Sequence, residues 1–426
     1  MCASFAVVSG RRSPRLQVIV PKPMAIIEER LDPTPPVEPP PEDELEEWIA
    51  SPGGGFRLAR PAAKPKKPRR KREMSATSSP MAGYACAVIA LAFVLGRSSL
   101  FWCGARGIPL GTLFRPAGYS LDALPDLAGR TYLVTGANSG LGFEVATQLA
   151  NANANVVLAC RDELRCEEAA RKVSGHHVVM DLNDLKSVDA AASRLRKKLN
   201  RLDGLILNAG VAAQFPLELT VDGIERTFQA NYVGHFALAT RLLPLLTRTA
   251  KRTGRRSRVI HLTSGAHRGA PPEGVPLSLD AINGPMGAYA RYGMAKLANL
   301  AFAAELARRA GGAVVSHAVH PGVVATNMLR VDNFAAMLGP LAGRLAWLVA
   351  QARNLLFAYS PRTAAVSVLY AAVAPEVGSL ANNGQLFVPV ATHWPPHHPM
   401  ALDESFGARL WAFSEETVRV ALRRRA

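Results

Sequence analysis

The sequence has few cysteines, and they form no recognisable binding motif. No Cys-x-x-Cys pair and no spacing typical of metal ligands occurs among Cys2, Cys86, Cys103, Cys160 and Cys166. A histidine group in a proline-rich stretch also lacks a cysteine or an acid at ligand spacing; it consists of His393, His397 and His398. We therefore predict that the protein binds no metal, and we expect a reducing compartment for its folded part.

Acidic residues are also scarce, with 33 Asp and Glu against 50 Lys and Arg, which gives a formal net charge of +17. Much of the excess is local, in a run from Lys64 to Arg72 and in the terminal Arg423 to Arg425. No aromatic residue is interleaved with the first run, whereas segments that bind nucleic acid often combine the two. We predict no nucleic-acid partner and interpret the run as a solvated or membrane-facing segment.

Residues 1–80 lack the apolar content of a folded domain. Residues 28–47 are acidic and proline-rich, around the run from Pro35 to Pro41. Such a segment cannot bury enough apolar surface to offset its ordering entropy, so we predict a disordered extension. The first 27 residues contain no acid. Plastid or mitochondrial targeting therefore stays open, although the acidic continuation argues against a transit peptide.

No apolar run reaches the roughly 20 residues that a bilayer crossing needs. The run from Met81 to Gly96 is uncharged and follows the basic run, and residues 98–102 would lengthen it beyond Arg97. We predict a membrane-anchoring segment at residues 81–102, in the endoplasmic reticulum or another organelle membrane. A buried or interfacial helix is the alternative. Residues 103–126, punctuated by Gly and Pro, form the predicted connector.

Short apolar runs alternate with longer stretches of helical periodicity from about Leu127 onward. Continuous apolar strands that alternate with helices are typical of a parallel sheet covered on both faces. We predict a single α/β domain at residues 127–426, with a doubly wound parallel (Rossmann) sheet. Its predicted strands are Thr131 to Val134, Val156 to Cys160, Leu205 to Leu207, Val259 to Leu262, Val314 to Val319 and Leu386 to Val390.

A glycine-rich loop follows the first predicted strand directly and leads into a predicted helix. Glycines allow backbone to approach a pyrophosphate closely, and the helix N-terminus offers free N–H groups and a positive dipole end. A glycine loop alone is weak evidence, but the strand before it and the helix after it support a dinucleotide site. The predicted binding residues are Gly136, Asn138, Ser139, Gly140, Leu141 and Gly142.

Arg161 stands at the end of the second predicted strand, where NAD-specific proteins carry an acid that binds the ribose. A guanidinium can pair with a 2′-phosphate, and an acid there would repel it. We therefore predict NADP(H) in preference to NAD(H). The alternative is that Arg161 is a solvated charge and that Asp162 binds the ribose.

Tyr292 and Lys296 are spaced by one helical turn and so lie on the same helix face. An ammonium near a phenol favours the phenolate, so such a tyrosine can exchange a proton with an alcohol or a carbonyl. The pair is common by chance when taken alone. Together with the glycine loop it predicts a dehydrogenase or reductase.

From about Leu127 to Val418 the chain resembles the short-chain dehydrogenase/reductases, and more closely their retinol dehydrogenase and WW-domain-oxidoreductase-like branch. The glycine loop matches the family's TGxxxGxG, and further ordered motifs follow it. The resemblance implies adenine contacts from Asp181 and Leu182. It also implies cofactor contacts from Asn208, Ala209 and Gly210, from Tyr292 and Lys296, and at the nicotinamide carboxamide from Pro321, Val323 and Thr326.

The resemblance also implies a catalytic set of Asn231, Ser264, Tyr292 and Lys296. Tyr292 would be the general acid/base, and Lys296 would hold the nicotinamide ribose and lower the pKa of Tyr292. Ser264 would bind the substrate oxygen, and Asn231 would position a water that links Lys296 to solvent. His267 and His320 flank these motifs, and we interpret them as packing or loop residues.

These features predict an NADP(H)-dependent oxidoreductase that interconverts an alcohol and a carbonyl on a lipophilic substrate, such as a retinoid, steroid, polyprenol or fatty aldehyde. The family resemblance suggests a homodimer. A nucleotide-binding sensor or scaffold whose proline-rich tail recruits partners is the alternative. Light-dependent protochlorophyllide reduction is disfavoured, because the cysteine expected after the Pro-Gly motif is absent.

Overall fold

The structure is a computed structural model of the chain, and it describes residues 119–212, 216–324 and 339–425. The predicted disordered extension, the predicted anchor at 81–102 and most of the predicted connector lie outside these residues. Within the described part, no helix is both long and apolar enough to cross a membrane.

Eight strands form one sheet in the order β3-β2-β1-β4-β5-β6-β7-β8. The first seven are parallel, and β8 runs antiparallel to β7. Their bounds are β1 Thr131–Thr135, β2 Asn155–Cys160, β3 His176–Val179, β4 Gly204–Leu207, β5 Ser257–Leu262, β6 Val314–Val319, β7 Leu386–Val388 and β8 Thr392–His393. The doubly wound parallel sheet predicted from the sequence is therefore confirmed.

Helices connect the strands. They are α1 Gly140–Asn151, α2 Glu163–Lys172, α3 Leu185–Lys198, α4 Arg226–Phe228, α5 Gly234–Thr253, α6 Leu279–Ile282, α7 Ala288–Arg309, α8 Pro340–Phe357, α9 Pro361–Val373 and α10 Glu404–Arg424. A π-helical turn at Gln229–Val233 joins α4 to α5. Short 3₁₀ turns lie at Leu121–Ala123, Gly265–Gly269, Pro375–Gly378, Leu380–Asn382 and Pro399–Ala401.

Apolar side chains cover both faces of the sheet. Residues of α3, α5, α7 and α10 pack in a cluster on one face, and residues of α1, α2 and α9 pack in a cluster on the other. Tyr119 belongs to the second cluster and contacts Tyr370 edge-on. This burial explains why most of the strands are apolar along their whole length.

The chain direction across the sheet reverses between β1 and β4. From β1 the order runs outward through β2 and β3, then resumes on the other side of β1 with β4. In open α/β sheets, the crevice at such a switch point lies beyond the carboxyl ends of the strands and binds ligands. The topology therefore predicts a ligand site at the loops that follow β1, β4, β5 and β6.

Two strands were not predicted from the sequence. β3 begins with His176 and His177, so its apolar run is too short to recognise. β8 has only two residues and pairs with β7 after a tight turn, which shortens the predicted last strand to Leu386–Val388.

The structure also pairs Cys160 with Cys166 in a disulfide. Cys160 ends β2 and Cys166 lies in α2, so the strand-to-helix turn brings both buried sulfurs together. Disulfides are rare in reducing compartments. A separation of six residues matches no motif, so the pairing was not predicted from the sequence, and the reducing compartment stays a prediction.

Candidate active site

The glycine loop after β1 forms a cradle with no room for side chains. Gly136 has a φ of +65°, and a Cβ there would lie 2.9 Å from the Cα of Ala209. A Cβ on Gly142 would lie 2.4 Å from Nδ2 of Asn208 and 2.6 Å from the carbonyl oxygen of Gly136. The loop leads into α1 at Gly140, whose first N–H groups have no acceptor within the helix. This cradle fits a pyrophosphate group.

Hydrogen bonds tie the glycine loop to the end of β4. Asn208 Nδ2 donates to the carbonyl oxygen of Thr135 at 2.8 Å, and the N–H of Ala209 donates to Thr135 Oγ1 at 2.9 Å. Ser139, beside the loop, is exposed and makes no capping bond with its side chain. Asn138 is half-buried and Leu141 is buried in the core beneath the loop. The predicted residues of the two motifs therefore share one edge of the sheet.

Two residues that follow β2 were considered for contact with the cofactor ribose, and their surroundings differ. Arg161 is exposed and has no hydrogen-bond or ion-pair partner among the residues that the structure describes. Asp162 caps α2 instead, because its side chain accepts a hydrogen bond from Arg165 N at 3.0 Å. Asp162 also lies 3.9 Å from the Arg165 guanidinium.

Asp181 and Leu182 follow β3 at the same edge. The Asp181 side chain accepts a hydrogen bond from Asn183 N at 2.9 Å, and its own N–H donates to Ser187 Oγ at 3.0 Å. A Cβ on Gly234 would lie 2.7 Å from the carbonyl oxygen of Leu182. The segment predicted to contact adenine is thus fixed against the start of α5.

Asn231 lies in the π-helical turn and is completely buried. Its Oδ1 accepts a hydrogen bond from Val211 N at 2.8 Å, and its Nδ2 donates to the Val211 carbonyl oxygen at 2.9 Å. A Cβ on Gly210 would lie 3.0 Å from Asn231 Oδ1 and 3.6 Å from Lys296 Nζ. Asn231, Gly210 and Lys296 therefore converge although they are distant in sequence.

Ser264 follows β5 and caps the 3₁₀ turn at Gly265–Gly269, accepting a hydrogen bond from Ala266 N at 3.2 Å. Its hydroxyl is hydrogen-bonded to Tyr292. Lys296 Nζ lies 5.5 Å from the centroid of the Tyr292 ring and donates to the Leu262 carbonyl oxygen at 3.0 Å. The four predicted catalytic residues are thus brought together at the carboxyl ends of β4 and β5.

Comparisons with known proteins agree with this geometry. The family model described as short chain dehydrogenase matches residues 130–335. A short-chain dehydrogenase/reductase of Aspergillus calidoustus, drtF, is 34% identical over 70% of this chain and 96% of its own length. Human retinol dehydrogenase 13 is 36% identical over 68% of this chain and 85% of its own. The chain belongs to the short-chain dehydrogenase/reductase family.

A solved structure has a similar fold. The crystal structure of an uncharacterized protein from Mycobacterium Paratuberculosis is similar, with a TM-score of 0.51 and 32% identity over 71% of this chain and 98% of that chain. Mouse retinol dehydrogenase 14 is 32% identical over 79% of this chain and 99% of its own. The predicted resemblance to the family and to retinol dehydrogenases is confirmed. As a short-chain dehydrogenase/reductase, the chain is an oxidoreductase of a family that uses NAD(P)(H).

Burial is the main cause of the pKa shifts of Tyr292 and Lys296. Burial raises the pKa of Tyr292 to about 12, and the hydrogen bond with Ser264 only partly offsets it. Burial lowers the pKa of Lys296 to about 8. Burial of the phenol dominates its pKa in this structure, and Lys296 Nζ donates to a backbone carbonyl, so the lowering of the Tyr292 pKa by Lys296 stays a prediction.

The segment after β6 is only partly described. Pro321 and Val323 lie at the end of β6, half-buried, and the Val323 carbonyl oxygen accepts a hydrogen bond from Tyr359 N at 2.8 Å. Gly322 has a φ of +82°, and a Cβ there would lie 2.6 Å from the Tyr359 ring. Thr326, the last predicted nicotinamide contact, lies outside the described residues.

Sequence reasoning missed several buried polar residues that support the catalytic set. Asn299, one turn after Lys296, donates to the same Leu262 carbonyl at 3.1 Å. Thr263 Oγ1 donates to the Lys296 carbonyl at 2.8 Å. The only sign of their role in the sequence is that each lies close to a predicted motif residue.

His235 was also missed. It is completely buried, and burial lowers its pKa to about 3, so the ring is neutral. Its Nδ1 bonds the Asn231 carbonyl oxygen at 3.1 Å and its Nε2 bonds Thr135 Oγ1 at 2.9 Å. Because a carbonyl only accepts, Nδ1 carries the proton and Nε2 accepts from the threonine. The contact joins the glycine-loop strand to the backbone of Asn231.

Proposed function

We propose that this chain is an NADP(H)-dependent enzyme that interconverts an alcohol and a carbonyl on a lipophilic substrate. The observation that carries the proposal is the convergence of Asn231, Ser264, Tyr292 and Lys296 beside a glycine cradle. Each of these residues has a role that the reaction needs.

Tyr292 donates a proton to the carbonyl oxygen in reduction and removes it from the alcohol in oxidation. Ser264, whose hydroxyl already contacts that of Tyr292, holds the same substrate oxygen. The bound cofactor supplies or accepts the hydride at the carbinol carbon. Lys296 binds the ribose and replenishes the tyrosine proton, and Asn231 orients a water beside Lys296.

The proposed preference for NADP(H) is supported by the end of β2. Arg161 is exposed and unpaired within the described chain, so its guanidinium is available to a 2′-phosphate. Asp162, the alternative ribose ligand, is engaged as the cap of α2. Both observations favour NADP(H), which carries the 2′-phosphate, over NAD(H).

The proposed lipophilic substrate is supported by similarity to proteins named retinol dehydrogenases and by the surface of α8. Leu341 of α8 is 86% exposed, and Leu345 and Leu348 are exposed at helical spacing from it. An apolar stripe of this kind suits a membrane surface or an apolar ligand. The anchor at 81–102, an organelle membrane and a homodimer stay predictions from the sequence.

The alternative of a sensor or scaffold depends on the proline-rich stretch, which lies outside the described residues. No observation in the described part favours it. The assembled catalytic set supports an enzyme instead.

A substrate panel tests the proposed function. Purified full-length protein is incubated with NADPH or NADH and a series of apolar aldehydes and ketones, and cofactor oxidation and alcohol formation are measured. We expect stoichiometric alcohol formation, at least about tenfold faster with NADPH at low cofactor concentration. Tight NADPH binding with no alcohol from any member of the panel would overturn the enzyme proposal in favour of a sensor.

A further inference from the structure

Two histidines lie beside Ser264 at the carboxyl edge of the sheet. Leu262 of β5 pairs with Val319 of β6, and Thr263 N donates to the Val319 carbonyl at 2.8 Å. Ser264 and His320 therefore leave neighbouring strands at almost the same level. His267 lies in the 3₁₀ turn that Ser264 caps, and its Nδ1 donates to the Ser264 carbonyl oxygen at 2.7 Å.

The direction of the His320 side chain follows from strand alternation. Ala318 packs in the cluster that includes α7, and Val319 packs in the cluster on the opposite face. The sheet pattern continues through His320, because its N–H donates to the Phe387 carbonyl at 2.8 Å. His320 therefore points to the face that carries α7, the helix of Tyr292 and Lys296.

These imidazoles contain polar atoms that the described protein does not satisfy. His320 is 8% exposed and His267 is 3% exposed. Neither ring nitrogen of His320, nor Nε2 of His267, has a hydrogen-bond partner among the described residues. A buried polar atom without a hydrogen-bond partner is destabilising, so three such atoms together indicate a place for a hydrogen-bonding ligand.

The state of the rings limits the chemistry of that ligand. Burial lowers the pKa of His320 to about 3 and that of His267 to about 4. Both rings are neutral near pH 7, and each then offers one donor and one acceptor. His267 already donates through Nδ1, so its Nε2 is an acceptor. A neutral pair of this kind suits a hydroxyl or a carbonyl better than a carboxylate or a phosphate, which would need a cation.

We propose that His267 and His320 form a hydrogen-bonding subsite beside Ser264 that binds a second, uncharged oxygen of the substrate close to the reacting carbon. The inference rests on the proposed function and narrows it: the substrate is an oxygenated lipophile, such as a hydroxyketone or a vicinal diol, and not a plain hydrocarbon aldehyde. It also replaces the interpretation of both histidines as packing or loop residues.

The test compares two substrates that differ in one oxygen. The ratio of kcat/KM for 2-hydroxy-1-phenylpropan-1-one to that for 1-phenylpropan-1-one is measured with NADPH in the wild type and in His320→Phe. Comparing ratios cancels the different intrinsic reactivities of the two ketones. The loss of one hydrogen bond predicts a ratio about 5- to 10-fold lower in His320→Phe, with the simple ketone changed by less than about threefold. His393→Phe, at an exposed position, should keep the wild-type ratio.

Binding gives a second readout that needs no turnover. With NADPH bound, 1-phenylpropane-1,2-diol and 1-phenylpropan-1-ol are titrated by the change in cofactor fluorescence. The wild type should bind the diol about 5- to 10-fold more tightly than His320→Phe does, and the two proteins should bind the mono-alcohol equally. If His320→Phe is unstable, His267→Leu, which removes the acceptor Nε2, serves in both experiments.

The outcomes separate this inference from the proposed function. Equal ratios and equal diol affinities in wild type and variant would mean that the nitrogens bind internal water only, and the subsite would be rejected while the enzyme stands. Diol discrimination without reduction of any carbonyl would reject the proposed reaction and keep the subsite.

Discussion

Arg161 and Asp162 stand next to each other at the end of β2, but only one of them is available to a ligand. The Asp162 side chain is used by the helix it caps, whereas the Arg161 guanidinium has no partner in the described chain. The proposed preference for NADP(H) therefore depends on one charged side chain, that of Arg161. Reversing that charge should therefore remove the preference.

Arg161→Glu should raise the KM for NADPH by at least about tenfold, because a carboxylate repels the 2′-phosphate, and should leave the KM for NADH within about threefold. Steady-state kinetics with both cofactors measures the change. Arg171→Glu makes the same charge change in the last turn of α2 and should affect neither cofactor. An equal loss with both cofactors in Arg161→Glu would assign the residue a structural role instead.

The proximity of Tyr292 and Lys296, the proposed catalytic pair, was predictable from the sequence because the two residues lie one helical turn apart. The surroundings of the pair were not. Lys296 Nζ bonds the carbonyl of Leu262, 34 residues away, and no spacing reveals such a contact. The same is true of burial, which raises the pKa of Tyr292 instead of lowering it.

The element that most constrains the site is the turn between β1 and α1. Its glycines are required by contact with the end of β4, since a Cβ on Gly142 would meet both Asn208 and the Gly136 carbonyl. The motif was visible in the sequence. The partner strand that makes the glycines necessary became visible only with the sheet order.

Gly142→Ala should weaken NADPH binding by at least about 30-fold, because the added methyl group forces the loop away from Asn208. Isothermal titration measures the affinity. Gly287→Ala is the matched control, because a Cβ there meets nothing within 4 Å and the backbone φ is ordinary. Wild-type affinity in Gly142→Ala would show that the loop yields easily and that the cradle is not rigid.

Across the whole molecule, the fold class followed from alternating apolar runs and helical periods, and the sheet confirms it. The pattern did not predict which polar residues are buried in the interior. Several buried histidines have a pKa lowered to about 3 or 4 by burial; they are His235, His261, His267, His317 and His320. In the sequence, such residues interrupt the apolar pattern and give no sign that they are buried.

These histidines should make the protein acid-sensitive. Each imidazole has a folded pKa below its unfolded value of about 6.5, so the unfolded chain binds protons that the folded chain does not. The contribution of these histidines to the free energy of unfolding is therefore fully present above about pH 6.5 and decreases as the pH falls toward 4. We expect the transition temperature to drop by on the order of 10 °C between pH 7.5 and 5.5, measured by scanning calorimetry.

A variant isolates the cause of this acid sensitivity. His317→Gln should show a shallower decrease, whereas His393→Gln, at an exposed position, should follow the wild type. A transition temperature that is constant over this range would contradict the neutral buried rings.

We propose that Tyr292 moves the proton in a site that binds NADP(H). The most direct measurement compares Tyr292→Phe with wild type in NADPH affinity, by fluorescence titration, and in carbonyl reduction with the best substrate of the panel. We expect NADPH affinity within about fivefold of the wild type and carbonyl reduction slowed by at least about 100-fold, the usual contribution of general acid catalysis. Tyr289→Phe, on the same helix, should behave as wild type in both assays. Reduction by Tyr292→Phe at the wild-type rate would contradict the account.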